Sequence, residues 1–240
     1  MNAYLSAILQ GAVLTVGVSI AALLVAIALG LLGAGAKLSG RPVWVALSTA
    51  YTTIIRGIPD LVLMLLIFYG GTIGLNNLLE WIANTAWMQK LGWLSTDASV
   101  DINPFVAGVL TLGFIYGAYM TETFRGAMLS IPKGQAEAAW AFGMGRTQTF
   151  VRITAPQMLR YALPSFTNNW LVLIKATALV SLIGLQEMTY AAKQASAATR
   201  SPFLFFLFAA GLFLVYTSLS LFALRRLSAR FSLGTKRGTL

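Results

Sequence analysis

The chemistry open to this chain is narrow. Its 240 residues include no histidine and no cysteine, and only seven carboxylates. Zinc and haem ligation, thiol nucleophiles, disulfides and imidazole acid–base catalysis are therefore excluded, no close carboxylate pair lies inside an apolar run, and no metal site is expected. No Gly-Lys pair occurs, so the phosphate-cradling G-x4-G-K-[ST] loop is absent. What remains is a handful of ionisable and amide side chains set beside long apolar runs. An ion at mid-bilayer costs about 2.5–3.5 kcal/mol on insertion scales, so each such residue is a candidate for function.

Asp60 follows Pro59 at the start of one run, and it has two readings. It is a counter-charge for a cationic solute, or it interacts with a helix N-terminus or pairs with Arg56 at i,i+4. Glu122 closes another run, either touching solute or pairing with Arg125. Glu187 lies just beyond a run and reads as a solvated interfacial carboxylate, with a gate or partner contact as the alternative. Lys175 lies inside a run, roughly 16–18 Å from either end at 1.5 Å per residue, too far for its stem to snorkel. It should pair with Asp60 or Glu122, or else meet a solute carboxylate in a wet cavity. Asn168, Asn169, Thr177 and Ser181 share that run, as solute ligands or as bonds between helices.

The elements that position these groups follow from the composition. Hydrophobic residues make up 58 % and charged ones 10 % of the chain, against roughly 45–50 % and about 25 % in soluble domains. Five runs are long enough to cross a bilayer as helices, at about 8–35, 61–79, 102–121, 163–186 and 201–224. The first is longer than a signal-peptide core and has no cation before it, so it reads as a retained helix. Val43–Ile55 is too short to span and should lie at the interface or lead into the second run. Gly113 and Gly117 have the small-xxx-small spacing of close helix packing. No internal repeat or linker divides the chain, so residues 1–240 are expected to form one membrane domain.

The net charge of +10 could suggest nucleic acid, but the cations are placed by topology. Thirteen of the 17 Lys and Arg fall after the first run, after the third and in the tail; three fall on the opposite side. The positive-inside rule then puts the N-terminus outside and the C-terminus in the cytoplasm. The longest polar segment, about 125–160, is thereby cytoplasmic. Within it, residues 134–142 read as a helix stopped by Gly143, and a second helix from about Thr147 is expected to break at Pro156. Ala138 and Ala139, flanked by Trp140 and Phe142, form a small-residue face suited to docking in a partner's groove.

This segment resembles the coupling (EAA) loop of ATP-binding-cassette importer permeases, written EAA-x3-G-x9-I-x-L-P. Glu137, Ala138, Ala139, Gly143, Ile153 and Pro156 match it, and Ala155 stands where the family usually has Leu. The segments Ile55–Asp60, Tyr119–Ala127 and Lys175–Ser181 look like the polar amino-acid branch of that family. The runs LVLMLLIFYG, TLGFIYGAY, RYALP and NNW are similar to Q-type membrane subunits of histidine/lysine-arginine-ornithine importers.

The resemblance implies an all-α integral membrane protein of the type I importer permease fold, with five transmembrane helices and a cytoplasmic coupling loop. It implies a bacterial inner-membrane subunit that moves basic amino acids (histidine, arginine, lysine, ornithine) inward by alternating access. The implied partners are a paralogous M-type permease, two ATPase subunits and a periplasmic amino-acid-binding protein. ATP and Mg would be bound by the ATPase, with no cofactor in this chain. An ion-coupled secondary amino-acid transporter is the rival; it would work without ATP and often shows a repeated half, which is absent here.

Overall fold

The computed structural model describes residues 2–84 and 102–231. Lys90, Lys236 and Arg237, among the cations counted above, lie outside them. Among the described residues the secondary structure is helical throughout. Five helical stretches are long and apolar enough to cross a membrane: Asn2–Leu38, Asp60–Ile82, Pro104–Leu129, Arg146–Ile183 and Pro202–Arg230.

Helix α1 (Asn2–Leu38) buries Ile8, Ala12, Thr15, Ser19, Ala22, Ala26, Gly30 and Ala34, a stripe with the three-to-four-residue spacing of one helix face. Leu24 and Leu32 on the other side are exposed, as suits a helix that is apolar all round. The chain then turns into α2 (Pro42–Gly57), which starts on proline, the residue whose missing N–H costs nothing at a first helical position. α2 crosses α1 beside Gly33. The Ser48 hydroxyl donates to the Gly33 carbonyl (2.9 Å) and the Lys37 ammonium to Thr52 Oγ1 (2.7 Å). Ile58 is extended (φ −112°, ψ 139°), the conformation that a following proline imposes, and this ends α2. The short apolar stretch is thus a helix of its own leading into the second span.

That span comprises α3 (Asp60–Leu65), a π turn (Leu66–Gly70) and α4 (Gly71–Ala83). Helix α5 (Pro104–Leu129) is capped by the Asn103 side chain, which accepts the Phe105 N–H (2.8 Å). It is the most buried span and packs along α1. A Cβ placed on Gly113 would come within 2.5 Å of Val25 Cγ1, and one on Gly117 within 2.9 Å of Leu29 Cβ. The Gly113/Gly117 spacing therefore serves packing within the chain.

Helix α6 (Lys133–Ala141) follows on a short loop. The next helical path is continuous: α7 (Arg146–Thr149), a π turn (Phe150–Thr154), α8 (Ala155–Ala176) and a 3₁₀ segment (Thr177–Ile183). The break expected at Pro156 is absent. Pro156 sits in the first turn of α8, and the preceding π turn absorbs the hydrogen bond its nitrogen cannot donate. Gly184, at φ +90°, ends the path, so the fourth span stops at Ile183 instead of Gln186.

A short helix α9 (Met188–Thr199) and the long α10 (Pro202–Phe231) complete the chain. The main core lies where α1, α5 and α8 meet, around Leu112, Ile115, Met120 and Leu173. A second core joins the start of α1 to α9 and α10 through Ile8, Met188, Ala192 and Phe205.

Candidate functional site

A cleft of about 500 Å³ opens between α5 and α8 and is closed on one side by the end of α2. Helix periodicity selects its walls. Tyr119, Glu122 and Thr123 share one face of α5, and Ser165, Asn168 and Asn169 share one face of α8, each at i, i+3, i+4. Arg56, in the last turn of α2, and Pro164 complete it. Asn169 Nδ2 donates to Thr123 Oγ1 (2.9 Å) and ties the walls together.

Glu122 is fully engaged. The Lys37 ammonium donates to Oε1 at 2.6 Å, and the Arg125 guanidinium contacts Oε2 at 2.8 Å. The Arg125 pair was expected from the sequence and the Lys37 pair was not. Glu122 does not end its helix, which runs seven residues further to Leu129.

Asp60 stands one aromatic pair away from the cleft. It accepts the Tyr116 hydroxyl (3.0 Å); Tyr116 and Tyr119 are stacked with centroids 5.6 Å apart, and the Arg56 guanidinium lies over Tyr119 at 5.4 Å. Tyr116 is near the middle of α5, so Asp60 reaches roughly 18–20 Å from either end of that helix. The ion pair of Asp60 with Arg56 is not formed. The Ile58–Pro59 break places the two on different helices, so helical i,i+4 geometry no longer applies.

The predicted pairing of Lys175 also fails. Its side chain is exposed, and both ion pairs among the described residues belong to Glu122. The other expected partner, Asp60, is hydrogen-bonded to Tyr116. Thr177 is fully buried and donates to the Ile174 carbonyl (2.5 Å), while Ser181 donates to the Ala178 carbonyl (2.7 Å). Both hydroxyls bond back to their own helical backbone and stand apart from the cleft.

Glu187 overturns the solvated reading: it is 1 % exposed. Its carboxylate caps α9, accepting the Thr189 and Tyr190 N–H groups (both 2.9 Å) and the Thr15 hydroxyl (3.1 Å). Burial pushes its pKa above the ordinary carboxylate value, and those donors pull it part of the way back.

At the other end, α6 presents Glu137 and Ala138 outward and turns Ala139 inward. Gly143 takes φ +81°, and its N–H bonds the Trp140 carbonyl (2.9 Å), a left-handed stop favouring glycine. Phe142 is 89 % exposed beside the half-exposed Trp140. Ile153 is half-buried in the π turn and Pro156 is exposed at the start of α8. Helix α6 is thus a small platform with an aromatic edge, held out from the helical bundle.

Sequence reasoning passed over Lys37, Tyr116, Tyr119 and Thr123. A signal for Lys37 existed, since it is the first charge after a run with none. The two tyrosines share an i,i+3 face, but nothing in the sequence said that face would meet Asp60.

Comparison with known proteins agrees with this architecture. The family described as "Binding-protein-dependent transport system inner membrane component" matches residues 26–232. The histidine/lysine/arginine/ornithine transport system permease protein HisQ of Salmonella typhimurium is 49 % identical over 233 residues, covering 97 % of this chain and 96 % of that one. The arginine ABC transporter permease protein ArtQ of Escherichia coli is 36 % identical over 219 residues, covering 90 % and 91 %. A crystal structure of an amino acid ABC transporter with histidines superposes with a TM-score of 0.75, at 26 % identity and 96 % coverage of both chains. An inward-facing MetNI methionine ABC transporter superposes at 0.72 with 16 % identity, covering 97 % and 99 %, a likeness of fold. This chain belongs to the binding-protein-dependent transport system inner membrane components, as a multi-pass permease of the inner membrane.

Proposed function

We propose that this chain is the permease subunit of an ATP-driven importer that carries basic amino acids from periplasm to cytoplasm by alternating access. The observation that carries the reading is near end-to-end identity of 49 % with a permease named for histidine, lysine, arginine and ornithine. The site's chemistry accords with it: a carboxylate beside two stacked tyrosines, near mid-helix, suits a guanidinium or ammonium.

The cleft between α5 and α8 is the solute path, with Asp60 reading the cationic side chain and Asn168 offering an amide. Glu122, bound to Lys37 and Arg125, holds the cytoplasmic ends of α1 and α5 together. Energy comes from a separate ATPase, because this chain has no phosphate-binding loop. Glu137, Ala138, Ala139 and Gly143, with Ile153 and Pro156 behind them, form the seat for that ATPase. A paralogous M-type permease, two ATPase subunits and a periplasmic binding protein complete the assembly; ATP and Mg belong to the ATPase. The whole chain acts as one permease domain, with its N-terminus periplasmic and its C-terminus cytoplasmic, a reading that the cation bias supports.

The test is uptake of labelled arginine, lysine and histidine into vesicles carrying the complete assembly. Uptake should require ATP on the ATPase side and stop without it. Uptake driven by an ion gradient in the absence of ATP would replace this reading with that of a secondary transporter.

A further inference from the structure

Every α-amino acid brings a carboxylate as well as a side chain, and that carboxylate needs a donor wherever it is bound away from bulk water. The cleft walls leave few choices. Glu122 is an anion already neutralised by Lys37 and Arg125. Asn169 and Thr123 bond each other. Ser165 and Asn168 are neutral. Lys175, the cation considered from sequence, does not line the cleft.

Arg56 does. It lines the cleft, is exposed, and pairs with neither Asp60 nor Glu122. Its guanidinium lies over the Tyr119 ring at 5.4 Å. A cation–π contact of this kind engages no N–H acceptor, so the guanidinium's N–H groups can still meet a carboxylate, with two bonds in the favourable geometry. Beyond Tyr119 and Tyr116 lies Asp60, of opposite sign. The stacked tyrosines thus separate a cationic end of the site from an anionic one. A basic amino acid carries the complementary arrangement, with its carboxylate at one end and its cation at the other.

We infer that Arg56 binds the substrate's α-carboxylate and Asp60 reads its side chain, so that Arg56 serves all substrates equally and Asp60 sets the preference for cations. The inference rests on the proposed function and assigns a polarity to its site. A structural role for Arg56, bracing Tyr119 alone, would leave the carboxylate unread.

Equilibrium binding of labelled amino acids to the purified importer complex, without binding protein, tests it. Arg56→Gln should weaken arginine, lysine and histidine together by about 10- to 100-fold, the size of a lost charge-assisted pair. Arg56→Lys should recover part of this, since it keeps the charge and loses the fork. Agmatine, which retains the guanidinium and lacks the carboxylate, should bind wild type and Arg56→Gln alike. Unchanged amino-acid binding by Arg56→Gln would overturn the inference. So would a loss confined to the cationic substrates, or an equal loss of agmatine, which would mark collapse of the Tyr119 wall. If the wild-type complex binds neutral but not basic amino acids, the substrate reading fails while the role of Arg56 toward carboxylates is still decided by the same variants.

Discussion

Asp60 and Glu187 were both visible in the sequence as carboxylates beside apolar runs, and the structure gives them opposite surroundings. Asp60 is half-buried, with one hydroxyl donor and an aromatic pair beside it. Asp60→Asn should weaken binding and uptake of arginine and lysine by about tenfold or more, and should affect neutral histidine much less. Uptake measured at about pH 8 keeps histidine uncharged, and equal loss of all three would assign Asp60 to structure. Glu187 is sealed in, with two backbone N–H groups and a threonine on its carboxylate. Its folded pKa is raised, so the folded state binds more protons there than the unfolded one. Stability from this site is therefore present at low pH and lost as pH rises from the unfolded value through the folded one. Melting curves in detergent should show Glu187→Gln flattening the fall in Tm as pH rises above the ordinary carboxylate range, while Glu187→Ala, which removes the cap, costs about 0.5–2 kcal/mol at low pH. An unaltered pH slope in Glu187→Gln would place the titration elsewhere. Composition made Glu187 look solvated because hydropathy says where an apolar run stops, and nothing about what folds back over its end.

The spans themselves were legible, because a bilayer demands apolar length and the runs supply it. The ends were less so. Helix α5 continues from Glu122 to Leu129 since hydrogen bonding does not stop where hydropathy does. Pro156 failed to break its helix because the π turn before it relieves the missing donor, a device with no composition signature. Packing was half-legible: the Gly113/Gly117 spacing can be read in the sequence, its partner α1 cannot. Gly113→Val should destabilise the fold by about 1–3 kcal/mol through overpacking against Val25. In the same helix Gly126→Ala, with nothing within 4 Å of its Cβ, should be neutral or stabilising by up to about 1 kcal/mol. Paired melting curves check both. Helix α6 was legible in its helix formers and its Gly143 stop, which follow from local rules, but the expected face carrying both Ala138 and Ala139 is split, with Ala138 outward and Ala139 buried. Glu137→Lys and Gly143→Asp should leave the protein inserted and the ATPase active while lowering uptake at least about tenfold (about 1.4 kcal/mol of lost coupling). Normal ATP-driven uptake by either variant would remove α6 from the coupling path.

At the scale of the molecule, the described residues present apolar surface outward on α3, α4 and α10 and a small platform, α6, beyond the bundle. On the proposed function, ATP is hydrolysed by a separate subunit and motion reaches the cleft through that platform. The absence of native cysteine makes the point testable with one thiol. Phe142→Cys places it on the most exposed aromatic of the platform, where a thiol-attached photoreactive label can report its neighbour in the working importer. A separately motored permease predicts a covalent adduct with the ATPase subunit and a proportional loss of ATP-driven uptake. A label that reaches no nucleotide-hydrolysing subunit, in an assembly that still transports, would contradict it.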